Sequence, residues 1–217
     1  MNFFAHHKVS FVDYPKKIST LLFVSGCNLN CAYCHNASLK KRRVNKITER
    51  SVFEFITKRQ NLIDAVVITG GEPSLYQDEI KDFFIRLSAA FPTLLKKVDT
   101  NGTSPGFIRD ISAYADLISM DFKTLFYEKY LNFPMDVILN SIEELRKTEN
   151  YEIRITMYPE YISPEDFPEM GKILRGTKNI VIQQYRQVDN VKPYKDKVLN
   201  DFSNILKSYA ENVYLKL

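Results

Sequence analysis

The chain has 217 residues, 45% of them hydrophobic and 13% aromatic, with only 7 Gly; that supports one sizeable packed core and excludes a low-complexity or disordered class. The formal charge of +4 is mild, and no helix-turn-helix, zinc-finger or aromatic RNA-binding pattern accompanies it, so nucleic acid is not an expected partner. The longest apolar runs, such as AVVI and TLLFV, fall well short of the roughly 20 residues that span a bilayer and the amino terminus lacks an apolar leader, so no membrane segment and a cytoplasmic location are expected.

In chain order, six apolar bursts bounded by polar residues or Gly predict strands over 19–26, 64–71, 95–102, 116–123, 151–159 and 179–185. Segments with helical spacing lie between and after them, over 48–60, 77–91, 105–115, 135–148, 163–176 and 196–213. Several open on Ser, Thr or Asp near an acidic first turn. This alternation predicts parallel βαβ units in an α/β fold, either an incomplete (β/α)6 barrel or an open doubly wound sheet. One domain is expected over 1–217, with an amino-terminal arm over 1–18, the six core strands over 19–185, and a carboxy-terminal helix and tail over 186–217.

All three cysteines, Cys27, Cys31 and Cys34, fall within GCNLNCAYCHN at the end of the first strand. An odd set of three cannot be used up in disulfides, and thiolates select soft metals, chiefly iron–sulfur clusters and zinc. Structural zinc almost always takes four protein ligands, and His35, adjacent to Cys34, is poorly placed to close the same tetrahedron. A [4Fe-4S] cube held by three thiolates keeps one iron open, which suits chemistry better than electron storage.

Functional groups in both candidate architectures gather at the carboxyl ends of strands. Those ends are polar here: Gly70, Gly71 and Glu72 after the second strand, Asp99, Thr100 and Asn101 after the third, Asp121 and Lys123 after the fourth. In the fifth strand Ile153, Ile155 and Met157 share one face and Glu152, Arg154 and Thr156 the other. The Arg154 guanidinium on that second face needs an acceptor, either a protein carboxylate or an anionic ligand. Lys40 to Lys46 form the densest basic run, KKRRVNK; such a run is most often a solvated face, and it also suits docking of an acidic partner.

The C-x3-C-x2-C loop, with Tyr33 before the third Cys, resembles the radical S-adenosylmethionine (SAM) superfamily. TGGEPSL resembles that superfamily's GGEP segment, while VDTNGT, MDFK and IRITMYP resemble later strands of the glycyl-radical-enzyme activating proteins. FVDYPKKISTLLFVSGCN and CHN most resemble activating proteins of anaerobic ribonucleoside-triphosphate reductase, with a departure at Lys16, where Gly is expected.

The resemblance implies a partial (β/α)6 TIM-like barrel of the radical SAM type. It implies one [4Fe-4S] cluster on Cys27, Cys31 and Cys34, whose open iron is chelated by the amino and carboxylate groups of SAM. One electron then breaks the sulfur–ribosyl bond, giving methionine and a 5′-deoxyadenosyl radical that takes a hydrogen atom from a backbone Gly of the partner, expected to be anaerobic ribonucleoside-triphosphate reductase. Contacts to SAM are expected from Tyr33, His35, Asn36, Gly70, Gly71, Glu72, Asp99, Thr100, Asn101, Lys123 and Arg154, with a monovalent cation near Asp99 to Asn101. A flavodoxin-like or other one-electron donor is the second expected partner. Two other readings compete: a radical SAM enzyme acting on a small molecule, similar to 7-carboxy-7-deazaguanine synthase, and an iron–sulfur electron carrier without catalysis.

Overall fold

The six expected strands all form. The structure, a computed structural model, describes residues 1–41 and 46–217; Arg42 and Arg43 of the basic run lie outside the described residues. The amino-terminal arm is itself strand: β1 (Asn2–Phe3) and a long β2 (Ala5–Tyr14) precede β3 (Lys17–Val24). There follow β4 (Ile47–Thr48), α1 (Glu49–Thr57), β5 (Ala65–Gly70), α2 (Gln77–Ala90), β6 (Leu95–Thr100), α3 (Pro105–Ile111), β7 (Leu117–Asp121), α4 (Tyr127–Leu131) and α5 (Met135–Arg146). The chain ends with β8 (Tyr151–Met157), α6 (Phe167–Ile173), β9 (Asn179–Gln184), α7 (Asp196–Leu206) and β10 (Asn212–Lys216).

These elements make two compact units. The first comprises Met1–Asn28, Asn36–Thr100 and Arg109–Ile118. Here β2 pairs antiparallel with β3, while β3–β5 and β5–β6 are parallel, and β1 pairs antiparallel with β4. Leu22, Val24, Val66, Val67 and Ile68 are buried without a polar break, the run that a strand covered on both faces requires. Thr48 caps α1 by accepting the Ser51 N–H at 3.2 Å. The α2 residues Ile80, Phe83, Phe84 and Leu87 lie on one stripe and are fully buried, each contributing about 1.5–3 kcal/mol by leaving water.

The second unit comprises Leu29–His35, Asn101–Ile108 and Ser119–Leu217. Its strands β8, β9 and β10 are parallel neighbours. The alternation read in β8 holds, with Ile153, Ile155 and Met157 fully buried and Arg154 and Thr156 partly open. Between α6 and α7 the Phe167 and Phe202 rings stack with centroids 4.2 Å apart.

The carboxy-terminal tail departs from expectation. The last helix stops at Leu206, and Asn212–Lys216 instead forms β10 in register with β9, Asn212 opposite Asn179. The segment NVYLK has strand composition, and pairing satisfies backbone groups that β9 would otherwise leave open. Among the described residues, no helix is long and apolar enough to cross a membrane.

Candidate active site

The cysteine loop starts where β3 ends. Gly26 takes a φ of +87° there, a backbone conformation that side chains disfavour. Two backbone bonds tie the base of the loop: Gly26 N–H donates to Leu39 O at 2.7 Å and Cys27 N–H to Lys40 O at 3.0 Å. In the second unit the stretch carrying Cys31, Tyr33 and Cys34 is held by Tyr161, whose phenol oxygen accepts the Ala32 N–H at 3.1 Å. Cys31 is buried, Cys27 and Cys34 are partly open, and none is in a disulfide. Among the described residues, no three His, Cys, Asp or Glu side chains are gathered to hold one metal ion. A cubane takes its thiolates on separate irons, so the fit rests on the donor set: three reduced thiols within one loop, two of them reachable.

The two glycines at the end of β5, Gly70 within it and Gly71 just after, serve a backbone contact inside the first unit. A Cβ on Gly71 would stand 2.0 Å from Gly26 O, and one on Gly70, whose φ is +114°, 2.6 Å from Val24 O. Gly71 N–H donates to Val24 O at 2.8 Å, and Glu72 N–H to Gly26 O at 2.7 Å. The double glycine therefore lets the end of β5 press on the root of the cysteine loop. Glu72 is buried, and its carboxylate accepts from Ser74 N–H at 2.9 Å and Thr100 Oγ1 at 2.7 Å. Asp99 is buried with its Oδ1 3.2 Å from the Lys97 ammonium, which also donates to Asp13 O at 2.8 Å.

The second unit builds its polar groups from charge. Asp121 receives Arg154 Nε at 2.7 Å on one oxygen and Lys123 Nζ at 3.0 Å on the other. Burial by itself would push the Asp121 carboxyl up, but the positive charges of Arg154 and Lys123 hold it well below the usual carboxylate range. Burial disfavours the Lys123 ammonium, and Asp121 more than reverses this, keeping it charged. The acceptor required by Arg154 is thus a protein carboxylate. Asn101 Oδ1 accepts from the Thr103 N–H at 3.0 Å and hydroxyl at 2.7 Å, which makes it the cap of the turn after β6.

The profile of the Radical SAM superfamily matches residues 21–174, from within β3 into α6. The chain belongs to the radical SAM superfamily. Its curated relatives include MJ1227 of Methanocaldococcus jannaschii, 30% identical over 96% of this chain and 92% of that protein, described provisionally as a glycyl-radical enzyme activating enzyme. The pyruvate formate-lyase-activating enzyme of Listeria monocytogenes is 31% identical over 84% of this chain and 77% of its own length. A 7-carboxy-7-deazaguanine synthase of M. jannaschii matches at 29% over 89% of this chain and 86% of that protein. Among solved structures, anSMEcpe with bound AdoMet shares the fold with a TM-score of 0.60 at 18% identity, over 90% of this chain and 63% of that one. The α/β fold of the radical SAM type is therefore established, and this chain spans less than two thirds of that solved enzyme.

Of the residues that radical SAM resemblance marks, Tyr33 is buried, with its ring 5.1 Å from Tyr158 and 5.5 Å from Tyr161. Burial pushes its phenol far up, so it stays protonated. His35 is exposed and Asn36 partly so. Sequence reading missed Tyr130, Tyr158, Tyr161 and Tyr185. Tyr130 stacks on Tyr161 at 4.8 Å, Tyr158 contacts Tyr185 at 4.9 Å, and Asp189 accepts from both Tyr158 at 2.8 Å and Tyr185 at 2.7 Å. The three Tyr in MYPEY and VIQQY fall just after β8 and β9, a clue of composition and place that carries no motif. Lys97 was missed because one lysine in a strand reads as an edge or solvent residue until its burial is known.

Proposed function

We propose that this radical SAM chain works as one domain over 1–217 and is an activating enzyme that installs a glycyl radical on a partner protein, anaerobic ribonucleoside-triphosphate reductase. The observation that carries the reading is the near full-length similarity to MJ1227, joined with the three-thiol loop. Cys27, Cys31 and Cys34 would hold a [4Fe-4S] cluster, leaving one iron for SAM. When bound, the pair supplies one-electron cleavage of a sulfonium, which creates a group able to abstract hydrogen from carbon.

The chain's own residues bind, orient and shield. Lys123 and Arg154 are held charged by Asp121 and are suited to pair with a ligand carboxylate or ribose as well. Glu72 and the backbone beside Gly70 and Gly71 suit the ammonium group, while Thr100 and Asn101 suit ribose hydroxyls. Asp99 already meets the Lys97 ammonium at 3.2 Å, so that lysine supplies the positive charge which a monovalent cation would bring there. Tyr33, with Tyr158 and Tyr161 against it, gives an apolar wall that excludes water; His35 and Asn36 offer bonds to adenine. The electron donor is a flavodoxin-like or other one-electron carrier in the cytoplasm, whose acidic face would dock on the basic run Lys40 to Lys46.

The test is anaerobic reconstitution, reduction in the presence of SAM, and electron paramagnetic resonance of the candidate partner. The expected result is 5′-deoxyadenosine together with a glycyl doublet on the partner, both lost when Cys27, Cys31 or Cys34 is replaced. Cleavage without any glycyl radical, and turnover of a small molecule instead, would transfer the chain to the synthase-like reading. No 5′-deoxyadenosine above controls would leave an electron carrier.

A further inference from the structure

One cavity of the first unit uses none of the residues above. It is a groove of about 320 Å³ between β2 and α1, large enough for a multi-atom ligand. Strand alternation puts His6 and Lys8 on one side of it, and helical spacing puts Ser51, Phe55 and Lys58 on the other, with Arg59 just past the helix end. The floor is aromatic and rigid. Phe55 is buried, the His6 ring meets it edge-on at 4.7 Å, and the Arg59 guanidinium lies 4.4 Å above its centroid. His6 is fixed further by a 2.7 Å bond between Nε2 and Thr20 Oγ1.

The charge around this groove is uncompensated. Among the described residues, Lys8, Lys58 and Arg59 make no ion pair, and the one acidic residue of the lining, Glu54, is taken by Arg50 at 2.9 Å. Burial, and then the charges of Lys8 and His7, push the His6 imidazole below its ordinary value, as expected where positive charge is crowded. Three cations, one of them the guanidinium fork of Arg59, arranged around a concavity, match a compact multianion better than a flat acidic protein surface.

We propose that the groove between β2 and α1 is a binding site for a small phosphate-bearing ligand, a diphosphate or a phosphorylated nucleoside, held by Lys8, Lys58 and Arg59 over Phe55. The site stands apart from the radical chemistry, so its test needs no cluster turnover. Full-length reconstituted protein is titrated calorimetrically with pyrophosphate and, separately, with ADP at one fixed ionic strength, while the His6 ring protons are followed by nuclear magnetic resonance. Saturable binding that shifts the His6 signals is expected, and Lys8→Gln with Lys58→Gln should weaken it at least about tenfold, since each charge-assisted bond to phosphate is worth that much or more. Arg59→Lys, which keeps the charge and removes the fork, should weaken it less, and Lys207→Gln on the surface not at all. Tighter binding of ADP would assign the phosphates to a nucleotide; equal binding would assign the site to the diphosphate itself. The proposal is overturned by an absence of saturable binding, by binding indifferent to the double variant, or by an acidic polypeptide that binds more tightly and loses affinity in the same variants.

Discussion

Each unit of this protein carries a cluster of strand-end polar residues, and the two clusters are fixed by different physics. In the first, Gly70, Gly71 and Glu72 are placed by backbone contact: two glycines without Cβ, two backbone bonds to Val24 and Gly26, and a buried carboxylate that accepts from neutral donors. In the second, Asp121, Lys123 and Arg154 are placed by mutual charge. Backbone packing is insensitive to pH and intolerant of an added methyl, whereas a charge cluster depends on pH and fails when one sign is removed.

The largest test of that contrast is Gly71→Ala. Its Cβ would sit 2.0 Å from a carbonyl oxygen, so the root of the cysteine loop must separate from β5, and a loss of more than about 3 kcal/mol is expected. Thermal unfolding of the protein without cluster measures it; a stability change within about 0.5 kcal/mol would mean that this contact is not rigid.

Asp121→Asn should come next. It leaves two cations with one neutral acceptor, and because the carboxylate is 26% exposed the cost should fall near 2–3 kcal/mol, at or below the range for fully buried pairs. The pH dependence carries a sign. A carboxyl titrating below its unfolded value of about 3.9 contributes stability that is whole above that pH and disappears as pH falls through the depressed folded value. Denaturant melts at pH 6 and pH 3 should therefore show the Asp121→Asn deficit reduced at pH 3 but not closed, because the folded carboxyl titrates lower still, while Gly71→Ala keeps its deficit at both. An Asp121→Asn deficit unchanged down to pH 3 would show that charge does not hold this cluster.

A smaller effect is expected where the second unit uses a neutral bond. Tyr161→Phe removes the acceptor of the Ala32 N–H and should cost about 1 kcal/mol, with faster hydrogen exchange at the Ala32 amide and no new pH dependence. Unaltered exchange would release the cysteine stretch from this tether. The smallest change has the opposite sign. Lys16 sits in the two-residue turn between β2 and β3 with a φ of +58°, just after Pro15, the place where a type II turn favours Gly. Lys16→Gly should stabilise the hairpin by up to about 1 kcal/mol, the left-handed penalty less the added chain entropy; a destabilised variant would refute that reading of the turn.

Lys16 also shows how much was legible before the fold was known. The departure from the resembling pattern stood in the sequence, but that it forces a non-glycine residue to positive φ required the hairpin. Likewise the double glycine of TGGEP was visible as a close approach, with a ligand as its expected object; that it also serves an approach to Val24 and Gly26 required strand pairing to put β3 and β5 side by side. Arg154 was predicted to need an acceptor from alternation alone, and only packing made that acceptor Asp121, 33 positions away.

By itself the sequence determined what depends on neighbours along the chain. Hydrophobic periodicity gave the parallel strands, and three thiols within eight positions marked the candidate cluster loop, because side-chain period and loop reach are local properties. Tertiary structure alone decided the buried Lys97–Asp99 pair, the tyrosine cluster against Tyr33, the strand made by the tail and the basic groove over Phe55. Each joins residues far apart in sequence or turns on burial, and a lone lysine, tyrosine or histidine carries no periodic signal until packing removes the water around it.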